Sequence, residues 1–110
     1  MEKLDTETER KIQELQILEQ SLQNLLMQKQ AFQLELNETD NALKEIKKTK
    51  EDVFKVIGQV MIKADKAEIE KELAQRAEII RIRLTSIERQ EQELSKKAEK
   101  LKKEVLEKIK

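Results

Sequence analysis

The chain has 110 residues, of which 42% are charged and only 2% are aromatic, and its 23 basic and 23 acidic side chains cancel. This composition excludes a compact globular interior, because too few bulky apolar groups are present to offset the entropy of chain ordering. The balanced charge supplies no overall field that would attract nucleic acid or an anionic membrane. Richness in Glu, Lys, Leu and Gln is instead typical of long helices and coiled coils.

The sequence also limits chemistry and location. His and Cys are absent, so the usual nucleophilic triads and most transition-metal sites cannot be built, and a single glycine cannot form a phosphate-cradling loop. Glu88, Glu91 and Glu93 could bind a divalent ion weakly, but their interpretation as solvated helix carboxylates is favoured. We therefore expect no catalytic residue, no metal, no cofactor and no enzymatic activity. No stretch approaches the ~20 apolar residues needed to cross a bilayer, so no membrane contact is expected and a cytoplasmic location is the default.

Residues 6–50 are predicted to form a first long helix, because apolar side chains recur at alternating spacings of three and four. Thr6-x-x-Glu9 has the spacing of a capping box at its start. The seam consists of Leu15, Leu22, Leu36 and Leu43 at one heptad position and Leu18, Leu25, Phe32 and Ile46 at the other. Polar residues interrupt it at Thr8, Lys11, Lys29 and Thr39.

Residues 53–64 form an apolar, β-branched segment that contains the only glycine of the chain. The heptad pattern stops in this segment, and its residues favour a strand–turn–strand structure. Gly58-Gln59 suits a two-residue type II′ turn between the strands. Both faces of such a hairpin carry apolar side chains, and open strand edges invite pairing with other chains. We expect several hairpins to join in a shared sheet or barrel; a plain apolar linker between helices is the alternative. The residues assigned to assembly are Val53, Phe54, Val56, Ile57, Gly58, Val60, Met61 and Ile62.

Residues 66–108 are predicted to form a second long helix, which begins after a cap-like Asp65-x-x-Glu68. Glu91 is the one polar break in its apolar stripe. The stripe consists of Leu73, Ile80, Ile87, Leu94 and Leu101 at one heptad position and Ala77, Leu84, Ala98 and Val105 at the other.

Folding the chain back between Ile57 and Gly58 brings the two stripes together. This agreement favours a mainly α fold, a long antiparallel two-helix coiled coil within one chain, joined by a β-hairpin. One continuous helix in a parallel dimer is the alternative, since Gly58 costs a helix only about 1 kcal/mol relative to Ala. The expected neighbours are Leu15 with Leu101, Leu22 with Leu94, Leu36 with Ile80, Lys11 with Glu104, and Glu91 with Asn24.

The two chain ends meet at the far tip of this coiled coil and combine apolar with charged residues. Exposed apolar groups on polar arms hold non-native polypeptides weakly and without sequence specificity. Ordinary helix-end residues are the alternative interpretation. The candidate client-binding tip residues are Met1, Leu4, Ile12, Leu106 and Ile109.

At the level of motifs, the whole chain resembles a beta-class prefoldin subunit of the archaeal type. The most specific likeness is the hairpin phrase Val53-Phe54-Lys55-Val56-Ile57-Gly58, which is similar to the aromatic-Lys-x-x-Gly hairpin of that family. Phe54 stands where Tyr is common, and the usual proline before the hairpin is missing. Supporting pieces are Val60-Met61-Ile62-Lys63, Gln28-Lys29-Gln30, Leu36-Asn37-Glu38-Thr39, Ala42-Leu43-Lys44-Glu45-Ile46 and Glu88-Arg89-Gln90-Glu91.

The resemblance implies a hexamer of two alpha-class and four beta-class subunits, with a β-barrel body and six coiled-coil tentacles. It further implies ATP-independent capture of unfolded polypeptides and their delivery to a group II chaperonin. A structural coiled-coil tether or dimerisation module without client binding is the alternative function. A nucleic-acid-binding arm is a third, disfavoured by the acidic neighbouring arm and the lack of stacking aromatics. That arm would use Lys96, Lys97, Lys100, Lys102 and Lys103.

Overall fold

The computed structural model describes residues 5–109, which form two α-helices and a two-stranded antiparallel sheet. Helix α1 spans Thr6–Lys48 and helix α2 spans Lys66–Ile109. Between them lie strand β1, Val53–Ile57, and strand β2, Val60–Ala64. The helix–hairpin–helix order expected from the sequence is confirmed.

Helix α1 begins with a cap made by Asp5. Its Oδ1 accepts a hydrogen bond of 2.6 Å from the Thr8 amide, and its carbonyl accepts the first helical bond, 3.1 Å long, from Glu9. The predicted capping box at Thr6 and Glu9 is therefore wrong. Thr6 is already helical, and the shorter, charged Asp5 side chain occupies the N-cap position, where it satisfies an otherwise unpaired amide.

This cap should make the stability of the α1 N-terminus depend on pH. Hydrogen bonds from the Thr8 hydroxyl and the Thr8 amide lower the pKa of Asp5 from its ordinary value of 3.8. Because the folded-state pKa is the lower one, the stabilisation is present above pH 3.8 and is lost as pH falls through the folded-state value. We expect Asp5→Ala to be less stable than the wild type near neutrality, and this difference to shrink in acid.

Urea unfolding of both proteins at a series of pH values measures that difference in the free energy of unfolding. Asp5→Asn is the control, because asparagine caps a helix but does not titrate. Its advantage over Asp5→Ala should persist in acid. A wild-type advantage over Asp5→Ala that is unchanged well below pH 3.8 would contradict the role of the carboxylate.

The connection between α1 and the hairpin is held by Thr49. Helix α1 ends at Lys48 rather than at residue 50. The Thr49 amide still donates a helical bond of 3.0 Å to the Glu45 carbonyl, but the carbonyl and hydroxyl of Thr49 make bonds outside the helix. Its carbonyl accepts a hydrogen bond of 2.9 Å from Lys66 Nζ, and its hydroxyl accepts one of 3.2 Å from the Glu51 amide. At the start of α2, Asp65 Oδ1 accepts a bond of 3.3 Å from the Ala67 amide, which confirms the predicted cap.

Residues 31–84 form one compact unit, here called the hairpin unit. Its core is a cluster of buried side chains against which Phe32 packs, and it confirms the predicted proximity of Leu36 and Ile80. Thr39, a polar residue in the seam, is 5% exposed and donates its hydroxyl to the Glu35 carbonyl at 2.8 Å. That interruption is therefore satisfied within its own helix. The cluster consists of Leu36, Ala77, Ile80 and Leu84.

Residues 5–30 and 85–109 form a second compact unit, here called the terminal unit. Its two helical segments pair antiparallel, as the ion pairs Lys11–Glu104, 3.2 Å, and Lys29–Glu91, 3.1 Å, together show. The first of them confirms that predicted neighbour pair. This contact also raises the pKa of Lys11 above its usual value of 10.5. The buried apolar side chains of the unit are Leu25, Ile87, Ala98 and Val105.

Glu91, predicted to lie level with Asn24, lines a groove of this unit with Leu22, Gln23 and Leu26, but Asn24 is not the residue that binds its carboxylate. Glu91 instead forms an ion pair of 3.1 Å with Lys29, while Asn24 is exposed and accepts a hydrogen bond from Gln20 on its own helix. A long lysine side chain reaches along the seam to the opposite charge, whereas an asparagine offers only a short neutral amide. Lys29 on α1 and Glu91 on α2, one polar interruption from each helix, thus pair with each other.

Candidate functional surfaces

The hairpin turn sits at Gly58 and Gln59. Val53 pairs with Ala64 and Ile57 with Val60, so the loop has two residues. Gly58 has a φ of +61°, and Gln59 does not have a positive φ, which confirms the type II′ turn. The fold-back point therefore lies between Gly58 and Gln59, one residue later than predicted. A Cβ added to Gly58 would meet nothing within 4 Å, so the backbone angle rather than space requires glycine.

Alternation along the strands divides the hairpin into two faces. The first, here called the Phe54 face, carries Phe54, Val56, Met61 and Lys63. The second, here called the Ile57 face, carries Val53, Lys55, Ile57, Val60, Ile62 and Ala64.

Both faces of the hairpin are open in the isolated chain. Six of its apolar side chains are between 48% and 67% exposed, whereas Val53 is half-buried. Within the described residues the sheet has two strands, so each strand also has one edge without a strand partner. A surface of this kind is stable in water only when other chains cover it. The six residues are Phe54, Val56, Ile57, Val60, Met61 and Ile62.

The tip residues predicted from the sequence lie in the terminal unit or outside the described residues. Leu106 and Ile109 are 53% and 57% exposed and, being three residues apart on α2, share one side of the helix. Ile12 is half-buried rather than exposed, because it flanks the seam next to Lys11. Met1 and Leu4 lie outside the described residues.

Five further apolar side chains on the helices are more than half exposed and were not among the predicted tip residues. They share positions outside the seam and are between 53% and 66% exposed. A scan for apolar residues that break the heptad pattern would have found them. They are Ile17, Met27 and Leu34 on α1 and Ile79 and Ile82 on α2.

Within the described part of the chain, the carboxylates do not gather into a metal site. Among residues 5–109, no group of three acidic side chains is placed to hold a metal ion, and Glu91 pairs with Lys29 instead. Neither helix in this part of the chain is long and apolar enough to span a membrane. The open hairpin and the exposed apolar residues of the helices are therefore the features with which the described residues can contact other molecules.

Comparison with known proteins agrees with this geometry. The profile of the prefoldin subunit family matches residues 9–110. The prefoldin subunit beta of Thermococcus onnurineus (strain NA1) is 36% identical over 103 residues, covering 92% of this chain and 89% of that protein. That of Saccharolobus islandicus (strain L.S.2.15 / Lassen #1) is 33% identical over 102 residues, covering 91% and 81%. The crystal structure of the prefoldin beta subunit from Thermococcus strain KS-1 superposes with a TM-score of 0.87 at 32% identity, covering 96% and 94%.

Two long helices joined by an exposed hairpin define a class of coiled-coil subunit that carries its apolar surface on a small sheet. The chain belongs to the prefoldin subunit family, in its beta class.

Proposed function

We propose that this chain is the beta-class subunit of an ATP-independent holdase. The six exposed apolar side chains on the two faces of the hairpin carry the proposal, because they require cover by other chains. The hairpins of several subunits join in an intersubunit β-barrel, which pairs the open strand edges and buries one apolar face. The assembly is a hexamer of four copies of this chain and two alpha-class prefoldin subunits. Binding and release of a polypeptide involve no covalent step, so no enzymatic activity is required.

The client surface is proposed at the ends of the coiled coil. Leu106 and Ile109 expose apolar side chains next to the charged Glu107 and Lys108. Such isolated apolar groups bind exposed apolar segments of unfolded chains weakly, and the surrounding charges limit self-association. Ile12, Met1 and Leu4 add to this surface by their position in the sequence. Weak binding allows the captured chain to pass to a group II chaperonin.

Replacing Leu106 and Ile109 with Ser should reduce client holding several-fold and leave assembly intact, because it removes apolar contacts without touching the hairpin. The assay uses the complex of this chain with an alpha-class prefoldin subunit. An unfolded test protein is diluted into the complex without ATP, and its aggregation is followed by light scattering. Native mass spectrometry of the same samples reports the subunit composition.

The control is the double variant Lys102→Ser and Glu107→Ser, which changes two exposed side chains at the same helix end and keeps the net charge. It should hold clients as well as the wild type. Unchanged suppression of aggregation by the Leu106 and Ile109 variant would remove these residues from the client surface. A wild-type complex that assembles but never slows aggregation would instead support the coiled-coil tether.

A further inference from the structure

An ion pair joins the hairpin to helix α2. Lys55 lies on the Ile57 face, and its Nζ is 3.2 Å from Glu72 Oε2 in the second turn of α2. Lys55 pairs across the sheet with Ile62, which is 48% exposed. The contact therefore brings the Ile57 face, with its open apolar side chains, next to the side of α2 on which Glu72 lies.

The same side of α2 continues as an apolar ridge. Gln75, Ile79 and Ile82 follow Glu72 at helical spacings of three and four, so these four residues share one helix side. Ile79 is 53% and Ile82 62% exposed. Glu72, Gln75 and Ile79 line one groove of the hairpin unit. Ile79 and Ile82, here called the α2 ridge, therefore lie about two and three turns beyond Glu72, on the side of α2 that the Lys55–Glu72 pair joins to the hairpin.

The composition of this helix side changes along α2. After the α2 ridge, the corresponding solvent-facing positions hold Ser86 and then only charged residues up to Glu107. A solvent-facing side of a coiled coil is normally charged along its whole length. The two isoleucines are therefore confined to the part of α2 that lies in the hairpin unit. The charged residues are Arg89, Glu93, Lys96, Lys100, Lys103 and Glu107.

We infer that the α2 ridge extends the subunit interface from the hairpin onto α2, and that its occupant is the hairpin of a neighbouring copy of this chain. The inference rests on the proposed assembly through the hairpin. A barrel buries only one of the two apolar faces of each hairpin, so the other face needs an apolar surface outside the strand ladder. The α2 ridge supplies such a surface, and it lies on the side of α2 that the Lys55–Glu72 pair joins to the face of the hairpin that carries Ile57.

The test measures assembly of the complex with an alpha-class subunit as a function of protein concentration. Replacing both Ile79 and Ile82 with Glu should raise the concentration at half-assembly on the order of tenfold or more, because two charges would have to be buried. Ile17→Glu is the matched control: it changes an isoleucine that is 66% exposed in the terminal unit, and it should assemble like the wild type. Far-UV circular dichroism verifies that all variants are equally helical.

Cross-linking identifies the occupant, since the chain has no native cysteine. A copy with Ile82→Cys is mixed with a mass-labelled copy with Val60→Cys, and a short bismaleimide should join the two copies. Normal assembly of the Ile79 and Ile82 variant overturns the inference. If this normally assembled variant also holds clients less well than the wild type, the ridge is a client surface instead. A wild type that never assembles refutes the proposed function as well, so the two failures are distinguishable.

Discussion

A double variant with Val56→Glu and Met61→Lys should fail to assemble with an alpha-class subunit, whereas the wild type assembles. The two residues are cross-strand partners on the Phe54 face, and their side chains are 64% and 67% exposed. The substitutions replace two apolar side chains of this face by charged ones. Because the two charges have opposite signs, they attract each other across the strands, so the hairpin itself should still form. Burial of this charged pair in a barrel would require desolvation that its mutual attraction does not reliably offset.

Native mass spectrometry of the mixed subunits measures this effect, with far-UV circular dichroism as a check on helix content. The matched control is the double variant Asp52→Lys and Lys63→Asp. These two residues form an exposed ion pair of 3.6 Å at the base of the same hairpin. That exchange keeps both charges and all the apolar side chains, so assembly should persist. Full assembly of the Val56 and Met61 variant would show that the Phe54 face is not part of the subunit interface.

Truncation of Ile80 to Ala should lower the free energy of unfolding by about 2–4 kcal/mol. Ile80 is 3% exposed and belongs to the buried cluster with Leu36, Ala77 and Leu84. The removed atoms lose their burial and leave a cavity between two helices, which can close only by shifting the backbones. Urea unfolding followed by circular dichroism, at one fixed protein concentration, gives the difference. The fixed concentration matters because assembly stabilises the folded chain by mass action.

Ile17→Ala is the control for this measurement, since it removes the same atoms from a side chain that is 66% exposed. Its effect should stay within about 0.5 kcal/mol. Similar losses for the two variants would mean that Ile80 does not lie in a close-packed core.

The heptad pattern predicted which helix sides are buried. Every residue assigned to the two seams is buried or half-buried, including the polar interruptions Thr39 and Lys29. This follows from the helix itself, because residues spaced by three and four lie on one side whatever they contact. The hairpin was equally predictable from the sequence. Gly58 is the only glycine of the chain, and glycine adopts a positive φ without a steric penalty.

Specific partners were less predictable than helix sides. The cap of α1 is Asp5 rather than Thr6, and the residue that binds Glu91 is Lys29 rather than Asn24. The distance of a side chain from the Thr8 amide decides the first contact, and the reach of a lysine side chain decides the second. Neither quantity is written in the spacing of apolar residues.

The amino-acid sequence by itself determined the two helices, the sides on which they pair, the turn at Gly58 and the membership of the prefoldin family. These depend on local backbone preferences and on a periodic pattern, both of which are properties of the linear chain. Only the tertiary structure decided how far Ile12 is buried, which charges pair, and that Lys55 joins the hairpin to Glu72 beside Ile79. Those features depend on distances between segments far apart in the chain, which are set by packing and side-chain reach once the helices have met.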